Sequence, residues 1–193
     1  ITGNVAVVSS PNANVTIRNK GDLNVGLVVA VTIFGGGSFS ANGIAASTAA
    51  GKFVSLISDT GVITQSADAG ARISGAELRL TTTDKNATLV NTSNDITSIG
   101  NSNLGAGRLT VFDGVGDLTL SNPVVADGGV VLTTQTTFTL PGTITVANGD
   151  ISLTSVTGSI ALGSTLSAVN GQIQLDAGGA AGTITQTGGT ITS

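Results

Sequence analysis

The sequence predicts an all-β protein whose chain winds as a parallel β-solenoid with coils of about 21–22 residues. Three observations predict this fold. Turn dipeptides recur at a nearly constant spacing, short strands of alternating apolar and polar residues follow them, and the 193 residues include 28 Gly but only 9% charged and 3% aromatic residues. A narrow aliphatic interior with an uncharged exterior of Thr, Ser and Asn accounts for this composition.

The turn signal is clearest in the second half of the chain. Asp127-Gly128, Asn148-Gly149 and Asn170-Gly171 are separated by 21 and 22 residues. Dipeptides of this kind favour the left-handed backbone of a tight corner. We therefore expect the three dipeptides to occupy one corner of three successive coils, with left-handed backbone there.

The strands that follow these turns repeat with the same period, in three series. The first apolar residues of the strands are Leu109, Val130, Ile151 and Ile173 in one series, Leu118, Phe138 and Ile160 in the second, and Ile144 and Leu166 in the third. Each coil should therefore contain three short strands. In the coil that begins at Ile151, the predicted inward side chains are Ile151, Leu153, Ile160 and Leu162, and the predicted outward ones are Ser152, Thr154 and Ser159.

The N-terminal part of the chain is less regular. Residues 1–50, which include the breaker run 35–37, lack a clean period, whereas residues 51–193 carry the solenoid repeats in what we expect to be one continuous domain. At about 22 residues a coil, the chain would make roughly eight or nine coils and a rod on the order of 40 Å long.

Two further features of the N-terminal half predict how it joins the repeats. Residues 61–66 (GVITQS) recur as residues 182–187 (GTITQT), which indicates that both segments are copies of one strand. The step of 31 residues between Leu78 and Leu109 exceeds one coil and predicts an insertion within residues 91–103.

Missing residue types exclude several kinds of chemistry. Without His or Cys the chain has no imidazole base, thiolate, disulfide or nitrogen–sulfur metal site. All seven cations precede Leu109, and the five Asp that follow give the second half a charge of −5, which disfavours nucleic-acid binding. No run approaches the roughly 18 apolar residues of a spanning helix, so we expect no membrane span.

The run NGDISLTSVTGSIALGSTLSAVNGQIQLDAGGAAGTITQTGGTITS, residues 148–193, resembles the repeat region of filamentous-haemagglutinin-type exoproteins. The resemblance is clear over residues 107–193 and fainter over 51–106. It implies a right-handed parallel β-helix in a large adhesin that reaches the Gram-negative cell surface by two-partner secretion. Of that family's asparagine-rich secretion motifs only Pro11-Asn12 and Asn42-Gly43-Ile44 are present as fragments, so the resemblance implies an internal shaft segment.

The opening residues, ITGNVAVVSS, contain neither a charged region nor an apolar core of a signal peptide. The closing residues, GGTITS, are equally abrupt. We therefore expect no signal peptide here, and both ends resemble cuts through a longer regular structure.

Carboxylates are the first candidates for a catalytic site, because β-helical enzymes that cleave polysaccharides use paired acids. The residues in question are Asp95, Asp113 and Asp117. We interpret Asp113 as a turn residue and Asp117 as a cap at a strand edge. A calcium site in this segment would need a repeated Gly/Asp pattern, of which one partial copy is present. No catalytic, cofactor-binding or metal site is expected.

Three other groups of residues offer candidate binding or modification sites. Lys52, Arg72, Arg79 and Lys85 could form a basic strip for acidic glycans, and dispersed solvated charges are the simpler interpretation. The five Phe, for which we expect core packing, are Phe34, Phe39, Phe53, Phe112 and Phe138. The glycosylation sequons, which arise by chance in such a composition, begin at Asn14, Asn86 and Asn91.

These observations favour a structural or adhesive segment of an extracellular bacterial surface protein, without catalysis. Its expected partners are another copy or the remainder of a longer chain, joined end to end, and a host or neighbouring cell surface or glycan. Two alternatives remain open: a carbohydrate-active or glycan-binding β-helix, and a tandem β-sandwich spacer, which would have antiparallel sheets.

Overall fold

The computed structural model describes residues 3–9, 12–32 and 38–193, and it confirms the predicted fold class. Within these residues the chain contains no α-helix and forms a parallel β-solenoid of about eight coils. The first two coils come from the N-terminal 58 residues, which join the same sheets as the repeats. Pro11, Phe34 and the glycine run 35–37 lie outside the described residues.

The strands follow one another coil by coil. The first four coils contain β1 (Asn4–Val5), β2 (Val7–Val8), β3 (Val15–Asn19); β4 (Leu23–Val25), β5 (Leu27–Thr32), β6 (Ser38–Asn42), β7 (Ile44–Ala45), β8 (Val54–Ser58); β9 (Ile63–Gln65), β10 (Ile73–Thr82); β11 (Ala87–Leu89), β12 (Asp95–Ile99), β13 (Ser102–Asn103). The last four contain β14 (Leu109–Asp113), β15 (Leu118–Leu120), β16 (Val124–Val125); β17 (Val130–Thr134), β18 (Phe138–Leu140), β19 (Ile144–Val146); β20 (Ile151–Ser155), β21 (Ile160–Leu162), β22 (Leu166–Ala168); β23 (Ile173–Ala177), β24 (Ile184–Gln186), β25 (Ile191–Thr192).

The first strand of every coil belongs to one eight-stranded parallel sheet, which we call the first face. Its register aligns Leu109 with Val130, Val130 with Ile151, and Ile151 with Ile173, as the spacing predicted. The repeat read from the sequence is therefore the rise from one coil to the next.

The second and third strands of the coils form the second and third faces. The ten-residue strand β10 runs through the corner between these faces and joins them into one sheet. The register of the second face aligns Leu118 with Phe138 and Phe138 with Ile160, and that of the third aligns Ile144 with Leu166. Among the described residues only β5 and β6 pair antiparallel, so the sandwich alternative is wrong.

Aliphatic side chains from the three faces fill the interior. Ile151, Leu153, Ile160 and Leu162 are all 0% exposed, as predicted for the inward set. Their outward neighbours Ser152, Thr154 and Ser159 are half-buried. Stacking of like side chains in successive coils gives continuous apolar ladders, and their removal from water is the main source of stability in such a fold.

The predicted corner is present, but its glycines are needed for a different reason. Asn148 donates its backbone N–H to the Asp127 carbonyl at 2.9 Å, which stacks these turns in successive coils. Neither Gly149 nor Gly171 has positive φ, so the expectation of left-handed backbone there is wrong. A Cβ on Gly171 would overlap the backbone of Gly149 in the preceding coil. Glycine is required because the stacked corners approach each other closely.

The insertion predicted within residues 91–103 is absent. Ala87 aligns with Leu109, a step of one ordinary coil, because Leu78 and Leu109 belong to different faces. The insertion lies in the second coil instead, where the hairpin of β5 and β6 makes Leu23 align with Ile63.

The two similar segments around residues 61–66 and 182–187 do not occupy equivalent positions. Strand β9 of the first copy lies on the first face, whereas β24 of the second lies on the second face. Their common sequence therefore reflects what any strand of this solenoid requires, an inward aliphatic residue flanked by polar ones.

Candidate functional site

The acids and amides of the chain form a recurring hydrogen-bond device at the corners. A side-chain oxygen in one coil accepts the backbone N–H of a residue one coil further along, at 2.8–3.2 Å. The pairs are Asn14 with Phe53, Asp22 with Val62, Asp84 with Ala106, Asn86 with Arg108, Asp117 with Thr137, and Asp150 with Gln172. These bonds continue the coil-to-coil ladder where the backbone turns away from strand geometry.

Asp113, the last residue of β14, is enclosed in the interior. Its side chain is 0% exposed, and its Oδ1 accepts the backbone N–H of Ile96 at 2.9 Å. Its Oδ2 has no hydrogen-bond partner within the described part of the chain. Burial raises the pKa of Asp113 to about 7, outweighing the hydrogen bond from Ile96, and the charge of Asp95 raises it further.

Asp117 lies at the exposed corner between the first and second faces. Its Oδ1 accepts hydrogen bonds from the Thr136 hydroxyl and from the Thr137 backbone N–H, the latter at 2.8 Å. These bonds, that of Thr136 first, hold the pKa of Asp117 below its usual value. The side chain therefore acts as an anionic cap on the strand of the next coil.

The three candidate catalytic acids do not converge on a substrate-accessible surface. Asp113 points into the solenoid, Asp117 caps a strand at the outside, and Asp95 begins β12 in a half-buried position. A paired-acid hydrolase needs both carboxyl groups beside the scissile bond. The fully enclosed Asp113 cannot take part in such a pair in this conformation.

A buried amide network occupies the same corner in the preceding coil. Asn94, which is 0% exposed, exchanges two hydrogen bonds with Gln65 and also accepts the backbone N–H of Ile73 at 2.8 Å. Asn91 donates its amide to the backbone carbonyls of Ser66 and Asp68. Its sequon is therefore closed to modification in the folded chain, whereas those of Asn14 and Asn86 are exposed.

The candidate basic strip is dispersed over the solenoid. Arg79 pairs with Glu77 and lies over the ring of Phe53, 4.0 Å from its centroid. Lys85 precedes the first face, Lys52 the third, and Arg72 the second. Four cations at three different corners do not present one continuous charged surface.

The aromatic side chains also separate. Phe138 is 0% exposed in the core of the second face, whereas Phe112 is half-buried on the outside of the first face. Phe53 lies beneath Arg79, and Phe39 belongs to β6. Only Phe138 therefore fulfils the expectation of core packing.

One groove stands apart from the repeats, at the base of the inserted hairpin. This hairpin-base groove has a volume of about 540 Å³ and is lined mainly by Asn42, Ala45, Ala69, Gly70, Arg72 and Ser93. Residues 69–71 form a short 3-10 turn that packs against the hairpin, because a Cβ on Gly70 would touch the Leu27 side chain. The sequence offered no signal for this groove, since its walls come from four separate segments.

No group of three or more metal-ligating side chains occurs in the described ranges of the chain. In the same ranges there is no helix long and apolar enough to cross a membrane. Comparison of the chain with protein-family models, with curated proteins and with solved structures finds no match.

Proposed function

We propose that this chain is a structural shaft segment of an extracellular adhesin-like surface protein of a bacterium, and that it has no catalytic role. The observation that carries this proposal is the unbroken parallel pairing of eight coils on the first face. Seven steps of about 4.8 Å make this stack about 34 Å long. A rod of this kind separates what lies at its two ends.

The use of the polar residues supports the same role. Six acids and amides bond to the next coil at the corners, and the candidate catalytic acid Asp113 is enclosed. Most of the charged side chains that remain exposed are isolated. A chain whose polar groups mainly hold its coils together is suited to spacing and presentation.

The eighth coil supports association at the end of the stack. Ile184 and Ile191 are 49% and 43% exposed there, although their equivalents Ile160 and Leu166 in the seventh coil are 0% exposed. Another copy of the chain, or further β-structure of a longer chain, would cover these side chains and pair the strand edges beside them.

Antibody labelling of the source bacterium tests this proposal. Intact cells should be labelled as strongly as permeabilised cells, and purified protein should form rods with an axial repeat of about 4.8 Å in cryo-electron microscopy. Labelling that requires permeabilisation would contradict the surface role. Turnover of a polysaccharide by the purified chain would contradict the absence of catalysis and favour the carbohydrate-active alternative.

A further inference from the structure

The hairpin-base groove contains a cation without a partner. Arg72 is exposed, and its guanidinium makes no ion pair or hydrogen bond with any residue that the structure describes. The groove lining contains no acidic side chain. By contrast, Arg18 pairs with Asp59, and Arg79 pairs with Glu77. The groove therefore has one uncompensated positive charge.

The backbone on either side of this guanidinium is held firmly. The Arg72 carbonyl accepts the backbone N–H of Ile44 at 2.9 Å, and the N–H of Ile73 is bonded to the buried Asn94 at 2.8 Å. Gly43 has a φ of 64° and packs so closely on Arg72 that a Cβ there would overlap its carbonyl oxygen. The Arg72 side chain thus starts from a fixed point at the groove wall.

The other polar groups of the groove are neutral. The side chains of Asn42 and Ser93 make no hydrogen bond to another described residue, and each offers both donors and acceptors. Between them lie Ala45, Ala69 and Gly70, which leave the groove shallow and open. A planar guanidinium with an amide and a hydroxyl nearby suits a ligand that has one carboxylate and several hydroxyl groups.

From this arrangement we propose that the hairpin-base groove binds an acidic saccharide, whose carboxylate pairs with Arg72 and whose hydroxyl groups contact Asn42 and Ser93. The volume of about 540 Å³ accommodates a short oligosaccharide. The proposal goes beyond the shaft role and stands independently of it.

A saccharide fits this groove better than an acidic peptide. Peptides commonly bind by adding a strand to a free sheet edge, but β7 at this groove is already paired with β2 on one side and with β10 on the other. The small side chains of Ala45 and Ala69 also form no deep apolar pocket for an anchoring residue.

Calorimetric titration of the full chain with oligogalacturonate tests the proposal. We expect saturable binding, no binding of the neutral galactose oligomer, and at least a tenfold loss of affinity in Arg72→Gln. The matched control is Arg108→Gln, which removes the same charge from an exposed arginine on another part of the solenoid. Circular dichroism of both variants should match the parent, because neither guanidinium has a partner in the described part of the chain.

Several outcomes would overturn the proposal. They are no binding of the uronate oligomer at millimolar concentration, equal affinity of Arg72→Gln and the parent, or an equal loss in Arg108→Gln, which would indicate unspecific charge attraction. Tighter Arg72-dependent binding of an acidic peptide or of a sulfated oligosaccharide would assign the groove to that ligand instead. None of these results depends on where the protein is located or on its forming a shaft.

Discussion

Asp113 Oδ1 accepts the backbone N–H of Ile96 at 2.9 Å, and this is the one hydrogen bond of its carboxyl group that is well formed within the described residues. The same position is occupied by Thr134 and Ser155 in the next two coils. Both of those hydroxyl groups donate to a backbone carbonyl at the corner. A carboxyl group thus stands in a row of interior corner positions that otherwise hold neutral polar side chains.

This enclosed carboxyl group makes stability depend on pH. The folded pKa of about 7 lies above the ordinary value of 3.8, so the folded chain holds this proton more tightly than the unfolded chain does. The free energy of unfolding should therefore fall as the pH rises from about 4 to about 7, by about 4 kcal/mol, and then level off. Urea unfolding at a series of pH values measures this slope.

Asp113→Asn should abolish that slope, because the amide has no charge to bury. Asp176→Asn is the matched control, since Asp176 is exposed and its side chain has no hydrogen bond to a described residue. A parent protein whose stability does not change between pH 4 and pH 8, or an Asp113→Asn variant that keeps the slope, would contradict this assignment.

Inward and outward side chains of one strand should differ sharply in their contribution to stability. Leu153 is 0% exposed within β20, and Leu153→Ala should lower the free energy of unfolding by about 2–5 kcal/mol through lost burial and the cavity left behind. Its outward neighbour Ser152→Ala should change it by less than about 0.5 kcal/mol. Equal effects of the two substitutions, measured by urea unfolding, would be incompatible with the alternation described for this strand.

The central coils could be predicted in detail because each of their positions is determined by a local rule. In β20, for example, Ile151 and Leu153 had to face inward and Ser152 outward once the strand was recognised, and the spacing to Ile173 fixed its partner in the next coil. Period-2 alternation and a constant coil length together leave little freedom of register.

The features that the sequence did not reveal depend on contacts between distant segments. The hairpin insertion was missed because the step from Leu23 to Ile63 spans nearly two coil lengths and has no marker at its ends. The network of Gln65 with Asn94 and the groove at Arg72 were missed for a similar reason. An inward Asn in an otherwise aliphatic series was the only available signal, and it does not identify the partner.

Asp117 should stabilise the solenoid as an anion. Asp117→Ala removes the acceptor of the Thr136 and Thr137 hydrogen bonds and should cost about 1 kcal/mol at pH 7. Because the folded pKa is lowered, this contribution is present above the unfolded value of 3.8 and is lost as the pH falls through the folded pKa. Asp127→Ala, whose side chain has no hydrogen bond to a described residue, should have a smaller effect in the same unfolding measurement at pH 7.

Removal of one whole coil should leave a folded, shorter solenoid. Deleting residues 130–150 joins Gly129 to Ile151, and because Val130 aligns with Ile151, the strand at 109–113 meets an equivalent partner. Small-angle X-ray scattering should show a rod shortened by about 5 Å, with the β-sheet circular dichroism of the parent. Deleting residues 130–139 removes fewer residues but shifts every later strand out of register, so this smaller deletion should unfold the chain beyond it. If the half-coil deletion folded as well as the whole-coil deletion, coil length would not be what sets the register.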